Sequence, residues 1–521
     1  MSEELKDTIQ NAAKEQRDAK KKAIKDAEET APVGNDFKFE NQDFRKMKTK
    51  LDDVGCGFCL AKWTQVTIQM QTGHNHSCHH PGTHKVSEAE VKRNPTALHN
   101  TRFKKKRRKE MLENKRPKEC GYCWNVEDNS PHFSDRIFKS NESWSKPHFD
   151  EIRKSDWRGD YNPRYVEVSF SHTCNFKCSY CGPAYSTTWQ QEIEQYGGYP
   201  TTDDFNGKAV HDYEDKWPRK QTEHNPYVEA FWKWWPDLYY DLHTFRITGG
   251  EPLLSKDTWK TLDYIIDQPK PNRKLQLAIN SNLGVPDELI DKFCDKVNRI
   301  CDERRVKEFI IFTSIDGWGQ QAEYARHGLV FNRFWNNMNT ILSRCPRVNI
   351  TIMSTYNALS VPSYHKLLDG VYQLKWEYGS SDRFWESAVF LDTSYLRHPT
   401  HQTVQILPKD WSDKILDQAK LMFYYGIPSF GYDYVGYSDI EIQKIKRLHD
   451  WMGGDFKGPY GQKIDKSDVN KTRMNFVNFM KAHDKRRGTD FLKVFPEFEE
   501  LWHKWETISF DDKLQKYLVK R

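Results

Sequence analysis

Short β-rich runs alternate with longer polar or amphipathic stretches through the middle of this chain. Tyr165-Val-Glu-Val-Ser-Phe170 places apolar residues at every second position, the pattern of a half-buried strand. Similar runs near residues 245, 275, 308, 348 and 386 predict five more strands, with helical segments between them. This alternation over 161–400 predicts an α/β fold, specifically a partial (β/α)6 barrel open on one side. Residues 51–160 read differently. From Cys59 to Cys78 a loop, an alternating strand, a turn at Gly73 and a second cysteine predict a β-hairpin presenting two thiols near one end, followed by a polar helix near Pro95 to Glu113. Residues 401–521 are helical and aromatic, with Trp451, Trp502 and Trp505 as expected anchors. Residues 1–50 are rich in Lys, Glu, Asp and Ala. A solvated helix over Leu5 to Glu29, interrupted at Ala31-Pro-Val-Gly-Asn, has almost nothing apolar to bury and predicts a mobile arm.

Length changes this picture little: 521 residues suit two to four domains and a sizeable core. Eleven cysteines, seven of them in metal-like spacings, argue for a reducing compartment over a disulfide framework. The charged start Met1-Ser-Glu-Glu-Leu-Lys-Asp, with no apolar run near the ~18 residues of a membrane span, predicts a cytoplasmic protein without a membrane partner. Net charge is +6, but Phe103-Lys-Lys-Lys-Arg-Arg-Lys109 concentrates cations. That cluster suits nucleic-acid phosphates, or equally a solvated helix face balanced by Glu110 and Glu113.

The most specific chemistry is Cys174, Cys178 and Cys181 at C-x3-C-x2-C spacing. A [4Fe–4S] cube needs four ligands, so three thiols leave one iron open, as a catalytic zinc site keeps a position free; zinc itself is the alternative occupant. The thiols lie in the loop leaving the 165–170 strand, before a helix around Ser186 to Glu194, where α/β folds place active sites. A second predicted strand, His243 to Thr248, runs into Gly249-Gly250-Glu251-Pro252. Glycines let backbone approach a ligand closely, and Glu251 can accept hydrogen bonds from an ammonium.

These motifs resemble the radical S-adenosylmethionine (radical SAM) superfamily. The cysteine triplet with Tyr180 before its third member is similar to that family's cluster loop, and Gly-Gly-Glu-Pro to its segment for the SAM amine. Ser314-Ile-Asp316-Gly317 followed by Arg326-His327-Gly328 is similar to the branch that modifies peptides. Asn280-Ser281-Asn282 stands where relatives read Thr-Asn-Gly, a departure that bears on the ribose contacts. The resemblance implies a [4Fe–4S] cluster on Cys174, Cys178 and Cys181 that binds S-adenosyl-L-methionine and cleaves it reductively to a 5′-deoxyadenosyl radical. Gly249, Gly250 and Glu251 would hold the amine, Ser314 and Arg326 the carboxylate and ribose side, with Asn280 on the ribose strand and Tyr180 near the adenine. No further catalytic side chain is assigned. The implied activity is oxidoreductase-like: hydrogen abstraction from a peptide or protein side chain, ending in oxidation or cross-linking, with flavodoxin or ferredoxin as electron donor. Dehydrogenation of a small molecule, or modification of a nucleotide or RNA, is the alternative.

Cys59, Cys78, Cys120 and Cys123 resemble the twitch module, the shorter form of the SPASM domain, which holds a second [4Fe–4S] cluster and relays electrons; here it precedes the barrel, whereas in most relatives it follows. Structural zinc also suits four thiols flanked by His74, His76, His79, His80 and His84. Cys56 is a spare thiol or an alternative ligand, while Cys294, Cys301 and Cys345 read as packing residues. A reading of another class is a zinc-stabilised protein that binds nucleic acid or a partner.

Overall fold

The computed structural model describes residues 42–129, 132–203, 205–207, 217–220, 222–379, 387–426, 436–454 and 466–508. The solvated helix expected over 5–29 lies outside them. Helix α1 (Gln42–Val54) opens the described chain, and the described residues from Lys46 onward form one compact unit.

The described residues form eleven strands: β1 (Gln65–Gln69), β2 (His74–His76), β3 (His84–Lys85), β4 (Tyr165–Ser169), β5 (Lys177–Cys178), β6 (Thr244–Thr248), β7 (Gln276–Asn280), β8 (Glu308–Ser314), β9 (Arg326–His327), β10 (Val348–Tyr356) and β11 (Val389–Tyr395). Nine of them form one sheet in the order β11-β10-β8-β7-β6-β4-β1-β2-β3, and β5 pairs with β9 apart from it. All six strands expected from the 161–400 pattern are present and parallel, and β1 of the hairpin pairs parallel to β4 in register, Gln65 opposite Tyr165 and Gln69 opposite Ser169. The cysteine module therefore shares the sheet with the strands that follow it.

Side-chain alternation divides this sheet into two unlike faces. Val66, Ile68, Val166, Val168, Phe245, Ile247, Leu277, Ile279, Phe309, Ile311, Ile350, Ile352, Val389 and Leu391 are buried among apolar helix residues. One such helix, α3 (Asp287–Asp302), buries Ile290, Phe293, Cys294, Val297 and Ile300, a single stripe at helical spacing. The opposite face carries Thr67, Glu167, Arg246, Asn280, Ser314, Met353 and Asp392. A parallel sheet covered by helices on both faces is apolar on both, so this polar face borders a wet space. The sheet curves toward it. The register sets Arg246 on β6 level with Asn349 on β10 through Ala278 and Ile310, so in a flat sheet Met353 would lie about 14 Å across and about 13 Å along from it, beyond the reach of the two side chains; yet Arg246 donates from Nη2 to Met353 Sδ at 3.2 Å.

Two further differences from the sequence pattern have local causes. The helix expected near 95–113 is α2 (Arg102–Leu112), entered through a 3₁₀ turn at Pro95–Leu98, because the Thr101 hydroxyl accepts from Lys104 N and caps it there. Its cationic run is largely structural. Lys104 and Arg108, one turn apart, are buried and donate to Gln65 O, His99, Lys62 O and the Asn100 side chain. Lys105 pairs with Asp160, Arg107 with Glu110 and Lys109 with Glu113. Toward the C-terminus, Trp502 and Trp505 are buried, while Trp451, on α4 (Asp439–Gly453), stacks on Tyr395. Among the described residues, no helix is long and apolar enough to cross a membrane.

Candidate metal and cofactor site

The loop between β4 and the helix Thr187–Tyr196 carries Cys174, Cys178 and Cys181, all three half-buried. That helix starts where Ser186 caps Trp189 N, and its first turn anchors the loop. Cys174 N donates to the Thr187 hydroxyl at 3.2 Å, and Trp189 Nε1 donates to Cys178 O at 2.9 Å. Farther along the chain, Ser179 Oγ donates to the Gln402 side chain at 2.7 Å and Asn206 Nδ2 to Cys181 O at 2.8 Å.

Gly249 and Gly250 lie against this loop's backbone. A side chain on Gly250 would put its Cβ 2.4 Å from Thr173 O, and one on Gly249, whose φ is +135°, 2.4 Å from Ser171 O. The space saved lets Gly250 N donate to Ser171 O at 3.0 Å and Glu251 N to Thr173 O at 2.7 Å. The glycines thus hold two loops together, where the sequence suggested only approach to a ligand. The Glu251 carboxylate, 1% exposed, accepts from Leu253 N at 2.9 Å, Ser281 Oγ at 2.8 Å and Asn282 N at 2.6 Å. Asn282 in turn donates to the Asn175 side chain at 2.8 Å and points Nδ2 at Cys174 Sγ, 3.8 Å away.

Burial pushes the Glu251 carboxyl up to about 7 against the pull of these three donors, chiefly the Asn282 and Leu253 amides. A carboxyl whose folded pKa lies above its unfolded value stabilises the fold fully below about 4.5, and the contribution is lost as pH rises through 7. At about 1.4 kcal/mol per pH unit the loss approaches ~3 kcal/mol. Unfolding free energy measured from pH 4.5 to 8 is therefore expected to fall by this amount relative to Glu251→Gln; parallel curves would show that the donors cancel burial.

The β5–β9 ladder sets Cys178 opposite Arg326. Arg326 directs Nη1 at Cys178 Sγ, 3.7 Å away, and grips Asp316 with two bonds, Nε to Oδ2 at 2.8 Å and Nη2 to Oδ1 at 3.0 Å. Asp316 also accepts from the Tyr180 hydroxyl at 2.6 Å and Thr355 N at 2.8 Å. Asp316 stood inside a motif visible in the sequence, but only the structure shows it joining Tyr180, Arg326 and β10. Ser314 is half-buried on the polar face. Asn280 lies on that face too, accepting from Arg246 Nε at 2.8 Å, so Asn282, two residues on, is the asparagine that reaches the cysteine loop. Burial raises the thiol of Cys174 strongly, that of Cys181 to about 12 and that of Cys178, which Arg326 partly offsets.

Cys59, Cys78, Cys120 and Cys123 line one cavity with Lys62, Arg136, Lys139 and Asp135. Burial raises all four thiols, Cys78 to about 11 and Cys120 to about 12. Lys62 pairs with Glu119 and Arg136 with Asp52 and Glu127. Buried thiolates require positive charge beside them, so four of them at a cation-lined cavity fit either a cluster or zinc. Among the described residues, no three His, Cys, Asp or Glu side chains are already gathered at single-ion geometry. His80 is committed to Asp135 at 2.5 Å and to stacking on Tyr122, and His84 faces the Thr101 hydroxyl at 3.0 Å. The Cys56 amide and thiol face Asn114, outside the cavity lining. Cys294 and Cys345 are fully buried in the core.

The two cysteine sets lie toward opposite ends of the sheet. Cys59 precedes β1 and Cys78 follows the antiparallel β2, whereas the turn after β1 meets the loop of Cys181: Gln69 Nε2 donates to Tyr185 OH at 3.3 Å and Gln71 Nε2 to Ala184 O at 3.4 Å. The five residues of β1 at about 3.3 Å each span about 16 Å, with the polar face alongside. Compared with known proteins, the chain matches no family model and no curated protein sequence.

Proposed function

We propose that this protein is a radical SAM enzyme built on a partial (β/α)6 barrel, acting on a peptide or protein side chain by oxidation or cross-linking. The observation that carries this reading is the meeting, at the C-terminal ends of β4, β6 and β7 and at β9, of the Cys174/Cys178/Cys181 loop, the Gly249-Gly250-Glu251 turn, Asn282 and Arg326. Three thiols with a fourth position open fit a [4Fe–4S] cluster that binds SAM. When bound, that group supplies one-electron cleavage of SAM and a carbon radical that takes hydrogen from substrate. The chain's own residues set the loop and border the polar space in which a substrate would lie. The one-sided polar face and its inward curvature support the partial barrel.

The second cysteine set would hold the auxiliary [4Fe–4S] cluster with all positions filled by protein, which leaves it electron transfer as a role. Its place at the far end of the polar face suits uptake of an electron from a substrate radical. Nucleic acid loses most of its argument, because five of the six cations of the run on α2 are engaged in internal bonds and ion pairs. Anaerobic protein reduced with dithionite is expected to convert SAM to methionine and 5′-deoxyadenosine, read by chromatography. No 5′-deoxyadenosine from protein that contains its iron would overturn the proposal.

A further inference from the structure

Arg326 falls where the family resemblance puts a SAM contact, yet its guanidinium is turned to the cysteine loop. It is 6% exposed, its Nε and Nη2 are held by the two oxygens of Asp316, and its Nη1 points at Cys178 Sγ, 3.7 Å away. Three segments besides its own constrain that pose. The backbone ladder fixes Arg326 opposite Cys178, Thr355 N on β10 and the Tyr180 hydroxyl fix Asp316, and the Tyr180 ring lies under the guanidinium at 5.6 Å. Asp316 itself is 2% exposed. A bidentate arginine–carboxylate pair has little freedom to swing away.

We propose that Arg326 is a positioning and tuning residue of the three-cysteine site. It donates a charge-assisted hydrogen bond to the Cys178 thiolate, and Asp316, Tyr180 and Thr355 N hold it in that pose. This rests on the reading above that the three thiols bind a cluster. Hydrogen bonds to ligand sulfur and nearby positive charge favour the reduced, more negative state of an iron–sulfur centre, so they raise its potential. One electron must pass from this site to SAM, and Arg326 sets how readily the site accepts it.

The test is a potentiometric titration followed by electron paramagnetic resonance on the full chain, with iron measured on the same samples. The signal of the three-cysteine site is the one that SAM addition perturbs. In Arg326→Gln its midpoint is expected to move to more negative potential while the second signal stays put. Arg326→Lys keeps the charge but cannot grip Asp316 bidentately and reach the thiolate as well, and is expected to give a smaller shift of the same sign. If Arg326→Gln loses its iron, Arg326→Lys decides by the same criterion. Unmoved midpoints with iron retained and SAM affinity reduced would overturn the proposal and make Arg326 a SAM ligand. Wild-type protein without iron at these thiols would instead remove the underlying reading, and the iron assay separates that failure from the first.

Discussion

Replacing Cys174, Cys178 and Cys181 together by alanine is expected to lower iron from about eight to about four per chain and to abolish release of 5′-deoxyadenosine. The number follows from the separation of the two thiol sets. The loop of Cys174 leaves the C-terminal end of β4, while Cys59, Cys78, Cys120 and Cys123 line a cavity reached from the other end of the hairpin. Nothing in the triple substitution touches the second set. The loop itself should keep its path without thiols, because what anchors it is Gly250 N to Ser171 O, Glu251 N to Thr173 O, Trp189 Nε1 to Cys178 O and Ser179 Oγ to Gln402. Iron and sulfide are read on protein purified without oxygen, beside circular dichroism to verify folding. Zinc instead of iron, unchanged by the substitutions, would end the radical mechanism and favour a structural or binding role. About four irons in the parent with zinc in place of the rest would keep the SAM chemistry and assign zinc to the second set.

Strand positions were legible because alternation survives in short segments: Tyr165-Val-Glu-Val-Ser carries its inward and outward sides openly, and the six expected strands are where the pattern put them. The pairing of β1 with β4 was not legible. It joins residues about a hundred apart, and nothing local in Gln65–Gln69 specifies a parallel neighbour over a hairpin partner. Lys104 and Arg108 show the same limit for charge, since a basic run at helical spacing reads as a solvated face unless the backbone carbonyls waiting beneath it are known. At the site, residue types with few chemical uses were legible. Thiol spacing and a glycine pair each restrict what can stand beside them, although the pair's partner proved to be the cysteine loop's own backbone. Asp316 is different: a carboxylate in a strand-end motif has many possible roles, and which one it takes is decided by Tyr180, Arg326 and Thr355 arriving from three other segments.

Asp316→Ala is the substitution outside the thiols with the largest expected cost in stability, about 3–5 kcal/mol. Its two oxygens receive four donors: Arg326 twice, the Tyr180 hydroxyl and Thr355 N. Removing the carboxylate leaves a buried guanidinium without its counter-charge and two further part-buried donors without an acceptor, and a buried charge costs more unpaired than a made bond contributes. Asp316→Asn keeps the shape and one acceptor oxygen, so it is expected to lose less. Denaturant unfolding at pH 7.5 measures both. The comparison between iron-loaded and metal-stripped protein is the more informative part. In stripped protein Arg326 would face only a neutral Cys178 thiol, whose pKa burial raises, and the full cost should appear. With three thiolates bound to a cluster, the same guanidinium has a second anion 3.7 Å away at Cys178 Sγ, and the cost of Asp316→Ala should shrink. An equal cost in both states would mean that Arg326 shares no charge with the site, and would count against its role there independently of any potential.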